Sequence, residues 1–494
     1  MRVLSVTPEI YPLVKTGGLA DVAGALPRAL AREGIAVHSL IPGYPAVLGA
    51  LTSVKTVHSF GDLFGGPAKL LDASVADLAL FVLDAPHLYG RDGNPYLDAA
   101  GQDWPDNAFR FAALARVAAD IGQGLLPAFA PGIIHAHDWQ AGLTPAYLQV
   151  GPGRRPGTVM TVHNLAFQGL FVPEVLGRLG LPAEMMTMEG VEYYGQIGFL
   201  KAGLCFADAV TTVSPSYAAE ICTPENGMGL DGLLRSRAST LTGICNGIDT
   251  EVWNPRTDAH LAAPFDAESL EAKRINTTAL RERFGLAHLP DAPLFGLISR
   301  LTSQKGIDLA IAAIRDLIAR GGQLALLGSG DASLEAELAQ AASQNPGRVA
   351  VAFGYDEPLA HLMQAGCDAL IVPSRFEPCG LTQLAALRYG TLPVVSRVGG
   401  LADTVIDANE AAIAAGVATG FQFGPPTADT LLQALHRALA LWQTKGVWQR
   451  LQRNAMSSDV GWGRSARLYA SLFKSVAKNP ASQRAPAMPH PIVQ

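Results

Sequence analysis

Short apolar runs of three to six residues alternate with amphipathic stretches along nearly the whole chain. The runs predict strands at Val3–Val6, Val37–Ile41, Leu78–Leu83, Ile133–His137, Thr158–Val162 and Ala209–Val213. A second series follows at Leu294–Ile298, Leu324–Leu327, Val349–Phe353, Leu370–Val372, Val394–Ser396 and Gly420–Phe423. Strands that alternate with helical patterns predict parallel sheets covered by helices, an α/β class built twice. Each series opens alike. A strand leads into a loop carrying lysine and glycine, and then into a helix with one apolar face. In the first series that face is 19, 22, 23, 26 and 30; in the second it is 307, 310, 311, 314, 317 and 318.

Between the series lies a polar, proline-bearing stretch, Asn246 to Pro293, without a strong strand pattern. The expected division is therefore a domain at 1–244, a second at 245–458, a helix at 459–478 returning to the first domain, and a proline-rich disordered tail at 479–494. At 494 residues the chain exceeds what one hydrophobic core serves, and 49% apolar against 16% charged residues supplies ample buried material. A net charge of −6 without a basic run argues against nucleic acid. Five scattered cysteines form no C-x-x-C pair, which suits a reducing, cytoplasmic setting. No apolar run approaches a membrane span, and the early strand predicts no signal peptide.

The chemistry concentrates just past the predicted strands. Residues 15–22, K-T-G-G-L-A-D-V, place Lys15, the paired Gly17 and Gly18, and Asp21 between a strand and a helix start. This is either a phosphate-binding corner, with amides and a lysine aimed at an anion, or a tight turn with a surface lysine. Residues 299–306, S-R-L-T-S-Q-K-G, offer Arg300 as a planar fork and Lys305 as a point charge, a pairing suited to a diphosphate. Residues 375–382, R-F-E-P-C-G-L-T, set Glu377 immediately before Pro378, which suits a first helical turn. The amides of Cys379, Gly380, Leu381 and Thr382 would then begin the helix, with a carboxylate that is a poor cap beside them. Two first-half strings, H-A-H-D-W-Q from His135 and T-V-H-N-L from Thr161, contribute Asp138, Trp139 and His163. His135 and His137 share one face of a strand, but no third ligand stands at a useful spacing, and no D-x-D triplet occurs; no metal is expected.

Together these strings resemble the bacterial glycogen synthase and plant starch synthase family, in matching order and spacing from residue 1 to about 478. The resemblance implies a GT-B fold, two doubly wound Rossmann-like domains facing across a cleft, and a retaining glucosyltransferase. It would move glucose from ADP-glucose to the non-reducing end of an α-1,4-glucan, by a front-side route rather than through a covalent intermediate, with no cofactor. By the same resemblance Glu377, Arg300, Lys305, His163 and Asp138 are catalytic. Lys15, Gly17, Gly18, Asp21, Asn246, Tyr355 and residues 379–382 hold the donor, and Tyr96 and Trp139 lie by the glucan. Many GT-B relatives carry a second glutamate eight positions after the first; Ala385 stands there, as in the glycogen and starch synthase branch. A related transferase using UDP-glucose or another acceptor is the alternative. A silent glucan-binding protein would be expected to have lost Glu377, Arg300 or Lys305. A dehydrogenase would need G-x-G-x-x-G after the first strand, which is absent.

Overall fold

The computed structural model describes residues 1–98 and 100–478; the expected tail at 479–494 lies outside the described residues. The chain divides into two compact units. Among the described residues the first holds Met1–Val213, Ala218–Ile244 and 462–478; the second holds Ser214–Tyr217 and Cys245–Gly461.

The first unit is built on a nine-stranded sheet. Its strands are β1 (Arg2–Val6), β2 (Ala36–Pro42), β3 (Ser53–Phe60), β4 (Ala68–Val75), β5 (Leu78–Asp84), β6 (Ile133–His137), β7 (Gly157–Val162), β11 (Ala209–Thr212) and β12 (Leu241–Gly243); a small separate sheet uses β8 (Leu170–Phe171), β9 (Glu192–Tyr193) and β10 (Gln196–Gly198). The order in the large sheet is β12-β11-β7-β6-β1-β2-β5-β4-β3. From β12 to β5 neighbours run parallel, but β5–β4 and β4–β3 are antiparallel. This hairpin corrects the expectation of purely parallel strands. β3 sits at the sheet edge with mostly exposed residues, so its sequence, S-V-K-T-V-H-S-F, lacks the continuous apolar run of a buried strand.

The second unit has a six-stranded, wholly parallel sheet. Its strands are β13 (Leu294–Ile298), β14 (Gln323–Gly328), β15 (Val349–Phe353), β16 (Ala369–Val372), β17 (Leu392–Ser396) and β18 (Phe421–Phe423), in the order β15-β14-β13-β16-β17-β18. The polar stretch before it forms loops and the helix Lys273–Phe284.

In the second sheet the chain steps outward from β13 through β14 to β15, then returns to the other side of β13 and steps the opposite way; in the first it goes from β1 to β2, out to the edge at β3 and back through β4 to β5, before β6, β7, β11 and β12 follow on the other side of β1. The reversal falls between β1 and β6 in the first unit and between β13 and β16 in the second. At such a point the two connections diverge and leave a crevice at the strands' carboxyl ends.

The last helix, Gly463–Lys478, is part of the first unit's core. Trp462, Ala466, Tyr469, Ala470, Phe473 and Val476 are buried with Val22, Leu26 and Leu30 of the helix Gly18–Arg32 and with Val3, Ile133 and Val159 of the sheet. Phe473 is fully buried, so Phe473→Ala is expected to destabilise the first unit by about 3–5 kcal/mol. Denaturant unfolding followed by fluorescence should show the first unit's transition moving to lower concentration while the second unit's stays. An unchanged midpoint would remove this helix from the core.

Candidate active site

In the first unit the site grows from the ends of β1, β6 and β7. After β1 the chain reaches Glu9, which is 3% exposed although ionisable. Its carboxylate accepts hydrogen bonds from the Thr16 amide and from the Tyr96 hydroxyl, and Thr16 Oγ1 donates to Oε1 at 2.7 Å. One side chain thus ties the K-T-G-G loop to the loop carrying Tyr96. Lys15 is not a free cation. Its Nζ lies 2.8 Å from Asp21 Oδ1, and both side chains are about a third exposed. The helix begins at Gly18 with Gly17 before it. Gly17 is extended, at φ −161°, and a Cβ there would meet nothing within 4 Å. Nothing within the protein therefore requires its glycine, and the open space suits a group that comes close to the backbone.

Asp138 follows β6 directly and adopts a left-handed backbone, φ +54°, which Asp tolerates better than most residues. Its carboxylate accepts from the His163 amide at 2.6 Å and from the Asn164 amide, so it pins the loop that leaves β7. Burial pushes its pKa up to about 7, the two amides pull the other way, and Glu9 adds to the rise. His163 and His135 are neutral, burial lowering both to about 3, and His137 lies well below its ordinary value for the same reason.

In the second unit the pattern repeats past β13 and β16. Arg300 is exposed, and its guanidinium has no hydrogen bond or ion pair among the described residues. Lys305 Nζ sits 2.5 Å from Glu377 Oε2, which also accepts from Ser374 Oγ at 2.8 Å. The Glu377 side chain is 7% exposed, and Oε1 has no partner among the described residues.

The two loops are stitched together. Arg375 donates to Ser303 O and makes a two-point pair with Asp308, at 2.7 and 2.6 Å, while its amide donates to Gln304 O. Gly306, φ +64°, lies so near Pro373 that a Cβ would come within 2.0 Å of the Pro373 carbonyl oxygen. Gly399, φ +41°, meets the Glu377 carbonyl in the same way, and the Gly400 amide donates to that carbonyl. Backbone that only glycine allows to approach thus presses on Glu377 itself at Gly399 and on Pro373, four residues before it, at Gly306.

Residues 2–236 match the family model described as "Starch synthase catalytic domain", and 280–455 match "Glycosyl transferases group 1". A glycogen synthase of Rhodopseudomonas palustris is 61% identical over 473 residues, covering 96% of this chain and 97% of its own. One from Acidiphilium cryptum is 59% identical over 476 residues, covering 96% and 99%. The chain belongs to the glycogen synthase family.

Among solved structures the chain is similar to the catalytic domain of starch synthase IV from Arabidopsis thaliana bound to ADP and acarbose, with TM-score 0.86, 33% identity, and 96% and 99% of the two chains covered. A sucrose-phosphate synthase from Thermosynechococcus elongatus, at TM-score 0.60 and 18% identity, shares the fold alone. The fold is GT-B, with two doubly wound Rossmann-like domains.

Within this family the expected site residues divide by unit. Lys15, Gly17, Gly18, Asp21, Asp138 and His163 gather at the reversal in the first sheet, and Arg300, Lys305 and Glu377 at the reversal in the second. Tyr355 is 74% exposed just past β15, its hydroxyl 2.9 Å from Glu357. Asn246 is 9% exposed with its Oδ1 buried and unpartnered, and its backbone lies in hydrogen-bonding reach of the Cys379 thiol.

Two expectations need correction. The helix after Glu377 starts at Thr382 with Leu381 before it, so Pro378, Cys379 and Gly380 form a loop rather than a first turn. Glu377 is paired with Lys305 rather than left facing amides alone. Tyr96 holds Glu9, and Trp139, 8% exposed, lies edge-on to Phe111 with ring centroids 4.9 Å apart. Sequence reading missed Glu9, Ser374 and Arg375. Glu9, a carboxylate directly after a buried strand, was the one visible signal.

Among the described residues no group of three or more His, Cys, Asp or Glu is placed to hold a metal ion, and no helix is long and apolar enough to cross a membrane.

The raised Asp138 pKa has a consequence for stability. An unfolded Asp ionises near 4, whereas the folded one does so at about 7. The folded state therefore holds the proton more tightly, and this contribution is full below about pH 4 and lost as pH rises through about 7. Asp138→Asn cannot ionise, so its stability relative to the parent should rise between about pH 5 and pH 8. The ceiling is about 1.4 kcal/mol for each pH unit separating the two ionisations. Urea unfolding of both proteins at the two pH values measures this, and a difference that does not change with pH would refute the buried, proton-holding carboxyl.

Proposed function

We propose that the chain transfers glucose from ADP-glucose to the non-reducing end of an α-1,4-glucan, with retention of configuration and without a metal. The observation that carries this reading is the cluster at the second unit's reversal point: an unpaired Arg300, and Lys305 held against Glu377. When the sugar bond breaks, charge builds on the departing diphosphate. Cations already fixed in place favour that transition state more than the ground state. Arg300 supplies a fork with no partner to displace. Lys305 is oriented by Glu377, so a phosphate oxygen can meet it without a search through side-chain conformers.

Glu377 has a second task in this reading. With Oε2 committed to Lys305 and Ser374, Oε1 can accept from a glucose hydroxyl and favour positive character at the anomeric carbon. In the first unit, Gly17 and the start of its helix offer backbone to the donor. Lys15 shares its charge between Asp21 and the donor phosphate, and His163 and Asp138 fix the loop next to the sugar. The acceptor glucan meets the loop carrying Tyr96. The family's ADP-bound and acarbose-bound starch synthase structure supports nucleotide and glucan as the two substrates. A cytoplasmic setting agrees with the five cysteines, all free thiols.

Incorporation of glucose into glycogen, compared for ADP-glucose and UDP-glucose at equal concentration, tests the donor. ADP-glucose is expected to be faster, and a chelator to leave the rate largely intact. Faster transfer from UDP-glucose, or complete loss with EDTA, would overturn the reading.

Glu377→Gln keeps the shape and removes the charge; kcat should fall by about 10²–10⁴ while donor KM changes several-fold at most. Lys15→Gln should do the reverse, chiefly raising donor KM. Near-normal kcat in the Glu377→Gln variant would reduce Glu377 to an anchor for Lys305.

A further inference from the structure

Beneath His163 runs a short chain of hydrogen bonds that ends on one hydroxyl. His163 Nε2 lies 2.9 Å from His137 Nδ1, and His137 Nε2 lies 3.2 Å from Ser5 Oγ. The three residues are 9%, 1% and 4% exposed. Both rings are neutral, since burial lowers their basicity, so each carries one ring proton. His135, whose ring centroid is 4.0 Å from that of His137, stays outside the chain because its Nε2 bonds Thr161 Oγ1 at 2.6 Å.

Only two proton arrangements satisfy both links. In the first, Ser5 O–H donates to His137 Nε2, His137 Nδ1–H donates to His163 Nε2, and the His163 proton sits on Nδ1. In the second every donor reverses: His163 Nε2–H donates to His137, and His137 Nε2–H donates to Ser5. Ser5 Oγ has no other partner among the described residues. The second arrangement therefore strands a buried hydroxyl proton without an acceptor, which folded proteins avoid. The first leaves no fully buried donor unmet: the remaining N–H, at His163 Nδ1, has no partner among the described residues and is not among their fully buried, unpartnered side-chain atoms.

We infer that Ser5 and His137 are positioning residues that lock His163 in the Nδ1–H form, so that His163 meets its ligand as a hydrogen-bond donor. The inference rests on the proposed placement of His163 beside the transferred sugar. The ligand atom opposite Nδ1 is then an acceptor, a hydroxyl or phosphate oxygen, and Nδ1 has no lone pair with which to take a proton from the attacking hydroxyl. His163 holds the sugar; it is not the base.

Full-length protein labelled with ¹⁵N-histidine reports the tautomers directly through long-range proton–nitrogen NMR spectra. The expected result is a protonated Nδ1 and a bare Nε2 on both His163 and His137; an Nε2–H form of His163 in the parent protein overturns the inference. His137→Asn places an amide donor where Nδ1–H was, and His137→Leu removes it. Ser5→Ala is the milder variant should the Leu substitution fail to fold. The Leu and Ala variants should show mixed His163 tautomers and a kcat lowered by about 10-fold or more, with Asn retaining most of both signals. Equal losses in Asn and Leu would also overturn the inference, since packing alone would then explain them. If the tautomer shifts in Leu while kcat does not, the lock stands and it is the proposed role of His163 that fails.

Discussion

The arrangement on which everything else depends is the reversal of strand order in each sheet. A parallel sheet sends every strand's carboxyl end to one edge, and helices normally cover the space above it. Where the chain turns back, between β1 and β6 and again between β13 and β16, the connections leave in opposite directions and the edge stays open. The groups with unusual surroundings stand at these two places. Glu9 and Lys15 follow β1, and Asp138 follows β6. Arg300 and Lys305 follow β13, and Glu377 follows β16. Burial on both faces fixes the strands, and the strands fix the chemistry at their ends.

The second site shows what holding a carboxylate next to a lysine demands. A pair whose side chains are 19% and 7% exposed gains Coulomb attraction only after both ions lose water. Ser374 supplies one further hydrogen bond, and the geometry is over-determined by backbone. Gly306 presses on Pro373, Gly399 on Glu377 itself, and Arg375 ties its own loop to Ser303, Gln304 and Asp308. None of these contacts is needed to close the sheet. They are intelligible as the cost of keeping two opposite charges in one orientation, which a surface ion pair would not maintain.

The parallel strands were legible in the sequence because a strand buried on both faces is apolar at nearly every position, and the helices because their apolar faces recur at 3.6 residues. The β3–β4 hairpin escaped because β3 is exposed along most of its length and carries no such run. The site was legible as strings of residues and much less so as contacts. K-T-G-G marks a loop, but nothing in the string says that Lys15 would lean on Asp21 six residues on. Pro378 fits a first helical turn on local propensity, yet Gly380 at φ +73° turns the chain out of that path and delays the helix to Thr382. The Lys305–Glu377 pair spans 72 residues and was invisible for that reason.

The two units solve different electrostatic problems. The second unit places real charges, Arg300, Lys305 and Glu377, and orders them by pairing and by close backbone approach. Buried histidines in the first unit are stripped of charge instead, and the Asp138 carboxyl is held near the point where it loses its own. A glucose ring is neutral and rich in hydroxyls, so discrimination among its orientations comes from where single donors and acceptors stand, not from field strength. An ionised histidine there would attract phosphate and water as readily as a hydroxyl. A neutral ring with its proton pinned to one nitrogen accepts only one polarity of partner. The diphosphate poses the opposite problem, because its charge grows as the bond breaks and must be met by full cations. Buried groups held without charge beside the sugar, and paired charge where the diphosphate is met, are the two answers these demands call for.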